Sequence, residues 1–65
     1  MKKGRALQTI TNTVLDVTIT LANAGDQLYI LEDLGDAYEV ATVDEPMNTF
    51  YASKNQVGVS SDSVH

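Results

Sequence analysis

A run of β-branched residues places the strongest constraint on the fold of this chain. In residues 9–20, nine of twelve residues are Val, Ile or Thr. Branching at Cβ restricts these side chains in a helix and suits them to a pleated strand. Apolar and polar residues alternate in the second half of the run, which predicts a strand with one buried and one solvated face. The predicted buried face carries Leu15, Val17, Ile19 and Leu21.

Turn signals divide the rest of the chain into further short strands. Asn, Asp and Gly cluster at residues 22–26 and 33–36, where they tolerate the backbone angles of tight reversals. Pro46 lacks a backbone donor and ends pairing in a later loop. The first reversal is expected to join the long first strand to the next one as a hairpin. The strands predicted after it are residues 27–32, residues 37–43, a short strand around Phe50, and residues 57–59.

These elements predict an all-β fold. No segment sustains an apolar stripe of helical period over three turns. Five or six short strands in about 55 residues, joined by short turns, predict a small antiparallel barrel that closes on itself to remove its edges. We expect residues 6–59 to form this single domain. Residues 1–5 are expected to be a basic N-terminal arm, and residues 60–65 a disordered tail.

Size and composition exclude several classes of function. The chain has 65 residues, no cysteine, and a single histidine at its last position. It therefore lacks thiolate metal sites, and no base is positioned to activate a hydroxyl group. The four glycines are too scattered for a phosphate loop. We expect no enzymatic activity, no cofactor and no metal. A chain this small reaches only about 3–5 kcal/mol of stability, so the formation of a homodimer remains an alternative.

The charge of the chain is negative and unevenly distributed. The formal net charge is −5 at pH 7, yet three of the four cations lie in the first five residues. The acidic body would repel phosphate backbones, so nucleic-acid binding would depend on the basic arm and is not favoured. A second alternative is a nucleic-acid mimic, whose carboxylates would occupy the phosphate-binding surface of a DNA- or RNA-binding protein.

The chain shows no sequence signal for a membrane. Polar residues interrupt the segment that follows the basic start, so no secretory signal peptide is predicted. No apolar stretch approaches the roughly 18 residues that a membrane-spanning helix needs. We expect a cytoplasmic protein that does not contact membranes.

Four stretches follow the order of elements in a known barrel family. "AGDQLYIL" is similar to the family's strand after its long first loop, "DAYEVAT" to the central strand, and "DEPMN" to the distal turn. "FYASKNQVGV" is similar to the final strand, single 3₁₀ turn and closing strand. Over residues 25–59 the chain thus resembles a Src-homology-3-like small β-barrel of the short bacterial or phage type. The resemblance implies the barrel fold and an accessory or regulatory role in a phage or mobile element.

The chain departs from the peptide-binding members of that family. Those members bind proline-rich segments in a groove lined by aromatic residues. This chain contains no tryptophan, and Ala52 and Gln56 stand where the family has Pro and Tyr. Recognition of polyproline is therefore not implied.

The carboxylates are a first candidate for chemistry. A close pair could bind a hard cation or act as acid and base. No spacing enforces such a pair, and the two carboxylates at the second turn are of the kind that accepts backbone hydrogen bonds. A structural role is favoured for the set Glu32, Asp33, Asp36, Glu39, Asp44 and Glu45.

An aromatic and acidic surface is the favoured candidate site. If Leu28 and Ile30 face the core, alternation turns Tyr29 and Leu31 outward, and Tyr51 is expected to face outward as well. Tyrosine supplies rigid contact area with a polar tip. The chain is therefore predicted to be a small acidic protein-interaction module. Its partner-binding residues are predicted to be Tyr29, Leu31, Tyr51, Asp33, Asp36 and Glu39.

Overall fold

The computed structural model describes residues 2–59, which form seven strands and one 3₁₀ turn. This part of the chain is all-β, as predicted, and its main sheet curls into an antiparallel half-barrel. Such an architecture is consistent with a Src-homology-3-like or other small barrel. The predicted tail at residues 60–65 lies outside the described residues. The strands are β1 (Lys2–Ala6), β2 (Ile10–Val14), β3 (Val17–Ala22), β4 (Gln27–Asp33), β5 (Ala37–Thr42), β6 (Thr49–Ser53) and β7 (Val57–Val59), with the 3₁₀ turn η1 at Lys54–Gln56.

The N-terminal segment is an inner strand of the main sheet, so the prediction of a separate basic arm at residues 1–5 is wrong for the described residues 2–5. The order of this five-stranded sheet is β6-β5-β4-β1-β7. β1 is antiparallel to both of its neighbours, and Gly4 lies opposite Leu28 on one side and Val59 on the other. Lys3 and Arg5 alternate with buried Gly4 and Ala6, and this alternation is typical of a strand with one wet face.

The β-branched run folds as a hairpin rather than as one long strand. β2 and β3 pair with each other in a separate two-stranded sheet, joined by Leu15 and Asp16. Both turn residues have left-handed φ angles, 53° and 65°, as a two-residue type I′ turn requires. The predicted buried face is therefore wrong: Leu15, Val17 and Ile19 are exposed, and only Leu21 is half-buried.

The reversal after β3 is where it was predicted, but its pairing differs. Asp26 N–H donates to the Asn23 carbonyl at 3.0 Å, the Asn23 N–H donates to Asp26 Oδ2 at 2.9 Å, and Gly25 has a φ of 92°. The predicted hairpin of β3 with β4 is wrong, because the two strands lie in different sheets. The reversal bonds instead to the end of β1, where the Gly25 N–H donates to the Ala6 carbonyl at 2.8 Å.

The later strands confirm the predictions for residues 27–59. β4, β5, β6 and β7 form where they were expected, and the single 3₁₀ turn precedes the closing strand. Ser53 N–H donates to Gln56 Oε1 at 3.0 Å, which caps that turn. Leu28, Ile30 and Val40 face the interior, so the predicted alternation of β4 is correct up to Ile30.

The core is small and lies on the concave side of the half-barrel. Leu28 and Val40 are its largest fully buried side chains. Leu21, Tyr38 and Phe50 pack against it while keeping part of their surface exposed. The other buried members of the core are Ala6, Ile10, Ala22, Ile30, Ala52 and Val57.

Gly4 is expected to be the least replaceable glycine in the sheet. A Cβ atom at Gly4 would lie 2.6 Å from the Gly58 carbonyl oxygen and 3.0 Å from Ile30 Cδ1. Relieving this clash requires the backbone of β7 to move, so Gly4→Ala should lower the free energy of unfolding by about 1–3 kcal/mol, as overpacking does. Urea denaturation followed by circular dichroism measures the loss.

The matched control is Gly58→Ala on the neighbouring strand. The one tight contact of a Cβ there would be Leu7 Cδ2 at 3.0 Å, and Leu7 is 58% exposed and free to turn away; the Arg5 carbonyl oxygen lies at an ordinary 3.9 Å. We expect this variant to stay within about 1 kcal/mol of the wild type. Equal losses in the two variants would contradict the close approach of β1 and β7.

Candidate functional site

The face of the main sheet opposite the core carries the candidate site, and we call it the outer face. Val40 and its cross-strand partners Ile30 and Phe50 face or pack against the core. Because neighbouring residues in a strand point to opposite sides, the adjacent row points outward. Among the described residues, the side chains on the outer face include Lys3, Arg5, Tyr29, Glu32, Glu39 and Tyr51.

One row of the outer face is built around Tyr29. In cross-strand register, Lys3 lies on one side of Tyr29 and Ala41 on the other. The Lys3 Nζ atom is 5.7 Å from the centroid of the Tyr29 ring, within the range of a cation–π contact. Ala41 is fully buried although it is not part of the core cluster, and Tyr29 is half-buried. These neighbours hold the Tyr29 ring against the sheet with part of it facing solvent.

The next row places two carboxylates directly opposite each other. Glu32 pairs with Glu39, and Glu39 pairs in turn with Tyr51, which is 68% exposed. Like charges at opposed positions destabilise a sheet. Within residues 2–59, neither glutamate forms an ion pair. The row therefore carries uncompensated negative charge beside an exposed aromatic ring, at a penalty to the stability of the sheet.

A β-bulge produces this opposed pair of carboxylates. Ile30 pairs with Val40, but the next ladder position joins Glu32 to Glu39, which leaves Leu31 as the extra residue. Leu31 remains 38% exposed, at the edge of an open groove of about 550 Å³. Lys2 lines the same groove. Strict alternation would instead have turned Glu32 toward the core.

Asp33 is the last residue of β4, where the turn to β5 begins, and it does not lie on the outer face. Its Oδ1 atom accepts a hydrogen bond from the Gly35 N–H at 2.9 Å and lies 2.7 Å from Lys54 Nζ. The hydrogen bond from Lys54, followed by that from Gly35, lowers the pKa of Asp33 below its ordinary value of 3.8. Lys54 Nζ also lies 4.9 Å from the centroid of the Tyr38 ring. This carboxylate is occupied by its own turn, which supports the structural role favoured above.

The predicted partner-binding residues divide into two groups. Tyr29, Tyr51 and Glu39 share the outer face, and Leu31 lies at its bulge. Asp33 and Asp36 flank the turn that joins β4 to β5, and Asp36 is exposed there. Sequence reasoning missed Glu32 and Lys3 as members of the face. No local signal marks the bulge, and β1 has only a short alternation of cations with Gly4 and Ala6 over residues 3–6.

The described residues offer no other evident chemical site. Among residues 2–59, no three His, Cys, Asp or Glu side chains are grouped closely enough to hold a metal ion. None of the helical structure found in that range has the length and apolar character needed to cross a membrane.

Comparison of the chain with protein family models, with curated proteins and with solved structures yielded no match.

The ion pair at the β4–β5 turn yields a prediction for titration. Lys54→Met should raise the pKa of Asp33 toward 3.8, because it removes the hydrogen bond that contributes most to the lowered value. Since folding lowers this pKa, the contribution of Asp33 to stability is present above pH 3.8 and is lost as the pH falls below it. NMR titration of the Asp33 carboxyl carbon measures this pKa in the wild type and in Lys54→Met.

Lys2→Met is the control for this titration. The charge of Lys2 also lowers the pKa of Asp33, but as the smallest of the named contributions. We expect a smaller rise than with Lys54→Met. An Asp33 pKa that is unchanged by the loss of Lys54 would contradict the ion pair.

Proposed function

We propose that this protein is a non-enzymatic interaction module of the Src-homology-3-like class, which binds a protein partner through its outer face. The observation that carries the proposal is the row of Glu32, Glu39 and Tyr51 beside the half-buried Tyr29. The resemblance to short bacterial and phage barrels extends the proposal to an accessory or regulatory role in the cytoplasm.

The connectivity of the chain supports the assignment to this class. The order β7-β1-β4-β5-β6 follows the family's element order, with the β2–β3 hairpin in the place of the long first loop. The 3₁₀ turn at Lys54–Gln56 and the closing strand β7 follow in the expected places.

The energetics of the outer face favour a binding role over a purely structural one. Opposed carboxylates lower the stability of a sheet whose small core leaves little in reserve. A partner that brings Arg or Lys to Glu32 and Glu39 would relieve this repulsion on binding. Tyr51 would supply contact area at the centre of such an interface, as tyrosine anchors commonly do. The occupant that fits is a protein surface with cationic side chains around an apolar pocket.

The charge pattern favours a protein partner over a nucleic acid. Lys3 and Arg5 lie on β1, while Glu32 and Glu39 lie across β4 and β5, so the outer face carries both signs. A polyanion would be attracted by one half of the face and repelled by the other. Complementary mixed charges are typical of protein interfaces.

The dispersal of the carboxylates disfavours the nucleic-acid mimic. A mimic needs carboxylates along one face at intervals like those of backbone phosphates. Asp16 lies at the tip of the hairpin, Asp26 accepts a bond within a reversal, and Asp33 is paired with Lys54. Glu32 and Glu39 form a cross-strand pair on the outer face, apart from these three carboxylates.

The proposal is tested by removing the most exposed ring. Tyr51→Ala should reduce capture of the protein partner in a pull-down by roughly tenfold or more, as loss of a central anchor does. Met47→Ala is the matched control, because Met47 is 90% exposed and lies in the loop between β5 and β6. Both variants should keep the unfolding midpoint of the wild type. Equal capture by wild type and Tyr51→Ala would contradict the proposal.

Salt and point substitutions separate the alternatives. At raised salt, capture anchored by Tyr51 should lose only the contribution of Glu32 and Glu39, whereas a nucleic-acid mimic should lose its partner steeply. Nucleic-acid binding is tested with the double variant Lys3→Gln, Arg5→Gln. Deletion of the N-terminal residues is unsuitable, because residues 2–6 form an inner strand of the sheet. A salt-sensitive gel shift that this double variant abolishes would favour the nucleic-acid alternative.

A further inference from the structure

The β2–β3 hairpin exposes apolar side chains that neither the core nor the outer face uses. Every residue from 11 to 20 is exposed, while Ile10 and Ala22 at the base are buried. The described chain extends 46 Å along its longest axis against 24 and 21 Å along the others. The exposed apolar side chains of the hairpin are Val14, Leu15, Val17 and Ile19, which are 48–92% exposed.

Cross-strand register sorts the hairpin into two unlike faces. Val14 pairs with Val17, and Ile19 pairs with Asn12, so the apolar side chains share one face. The opposite face carries only threonines, which pair as Thr11 with Thr20 and Thr13 with Thr18. The hydroxyl groups of Thr13 and Thr18 are hydrogen-bonded at 2.9 Å. We call the side of Val14, Val17 and Ile19, with Leu15 at its tip, the apolar hairpin face.

The tip of the hairpin presents a leucine in an unfavourable backbone conformation. Leu15 has a φ of 53° and is 92% exposed. Type I′ turns strongly prefer Asn-Gly, because bulky residues are strained at positive φ. An exposed leucine at such a position stabilises neither the turn nor the core. Strain retained at an exposed site suggests that the side chain has a role in binding.

The composition of the hairpin is suited to association with the hairpin of a second copy of the chain. The chain as a whole carries a net charge of −5, but residues 10–22 contain a single charged residue, Asp16. Contact through the hairpins therefore keeps the acidic bodies apart and brings few like charges together. Between residues 10 and 22 there is no Lys, Arg or Pro.

From these observations we propose that the apolar hairpin face is a self-association surface that binds the same face of a second copy of this chain. A two-fold axis would stack the two hairpins face to face, with the threonine faces toward solvent. Apolar patches that carry function on monomers span roughly 300–600 Å², so two such patches would bury an area at the low end of stable interfaces. The dimer is therefore reversible and dependent on concentration. This surface is separate from the outer face proposed to bind a partner.

Sedimentation equilibrium of the full chain over a dilution series tests the proposal. The mass of the wild type should rise from 7.0 kDa toward twice that value as concentration increases. The double variant Val14→Thr, Val17→Thr keeps β-branched residues in the hairpin but removes apolar surface. It should weaken association by roughly tenfold or more. Met47→Ser, which removes an exposed apolar side chain elsewhere, should leave the mass curve unchanged.

A second variant separates association from folding. Leu15→Asn combined with Asp16→Gly supplies the preferred type I′ turn, so the hairpin should form at least as well as in the wild type. We expect weaker association nevertheless, because the exposed leucine is gone. Tyr51→Ala should leave the mass curve unchanged, which keeps the failure of either proposal distinguishable from that of the other.

Two results would overturn the proposal. One is a wild-type mass that stays at 7.0 kDa at millimolar concentration, which would assign the apolar hairpin face to a different occupant. The other is a dimer that both hairpin variants leave intact, which would place self-association elsewhere on the chain.

Discussion

The insertion of β1 between β4 and β7 is the interaction on which the rest of the structure depends. It joins the first described residues to the last ones and holds the reversal at residues 23–26 through backbone bonds of Ala6. The approach of β1 to β7 is close enough that only glycine fits at position 4, beside the Gly58 carbonyl. Because β1 also orients Lys3 over Tyr29, the same pairing helps to build the outer face.

The small core leaves much of the molecule's surface free for binding. Leu28 and Val40 are its largest fully buried side chains among the described residues. Two features work against the stability of the fold: the opposed pair Glu32 and Glu39, and the left-handed Leu15 at the hairpin tip. Glu32 and Leu15 are exposed and Glu39 is half-buried. The pair lies on β4 and β5, whereas Leu15 lies in the β2–β3 hairpin. The two binding roles proposed above would offset these costs in a chain with little stability in reserve.

Much of the fold was predictable, and each miss has a physical reason. β4 to β7 and the outward Tyr29 and Tyr51 follow from alternation and turn chemistry. The 3₁₀ turn was implied by the resemblance to the barrel family. The hairpin was missed because Leu15 and Asp16 lack the Asn-Gly chemistry of a type I′ turn. β1 was missed because three of its five residues are cations, and Gly4 and Ala6 on its inward side give a weak hydrophobic signal. Glu32 was missed because a bulge is a property of two paired strands.

The sequence by itself determined the β class, the positions of the reversals, and which side of each later strand is apolar. These are local properties, since they depend on Cβ branching, on glycine and asparagine at turns, and on alternation along one strand. Only the tertiary structure decided that β1 is central, that the bulge brings Glu32 opposite Glu39, and that the apolar side of the hairpin faces solvent. Strand pairing decides these features because it joins residues far apart in the chain, and its energy depends on the partners available in the whole fold.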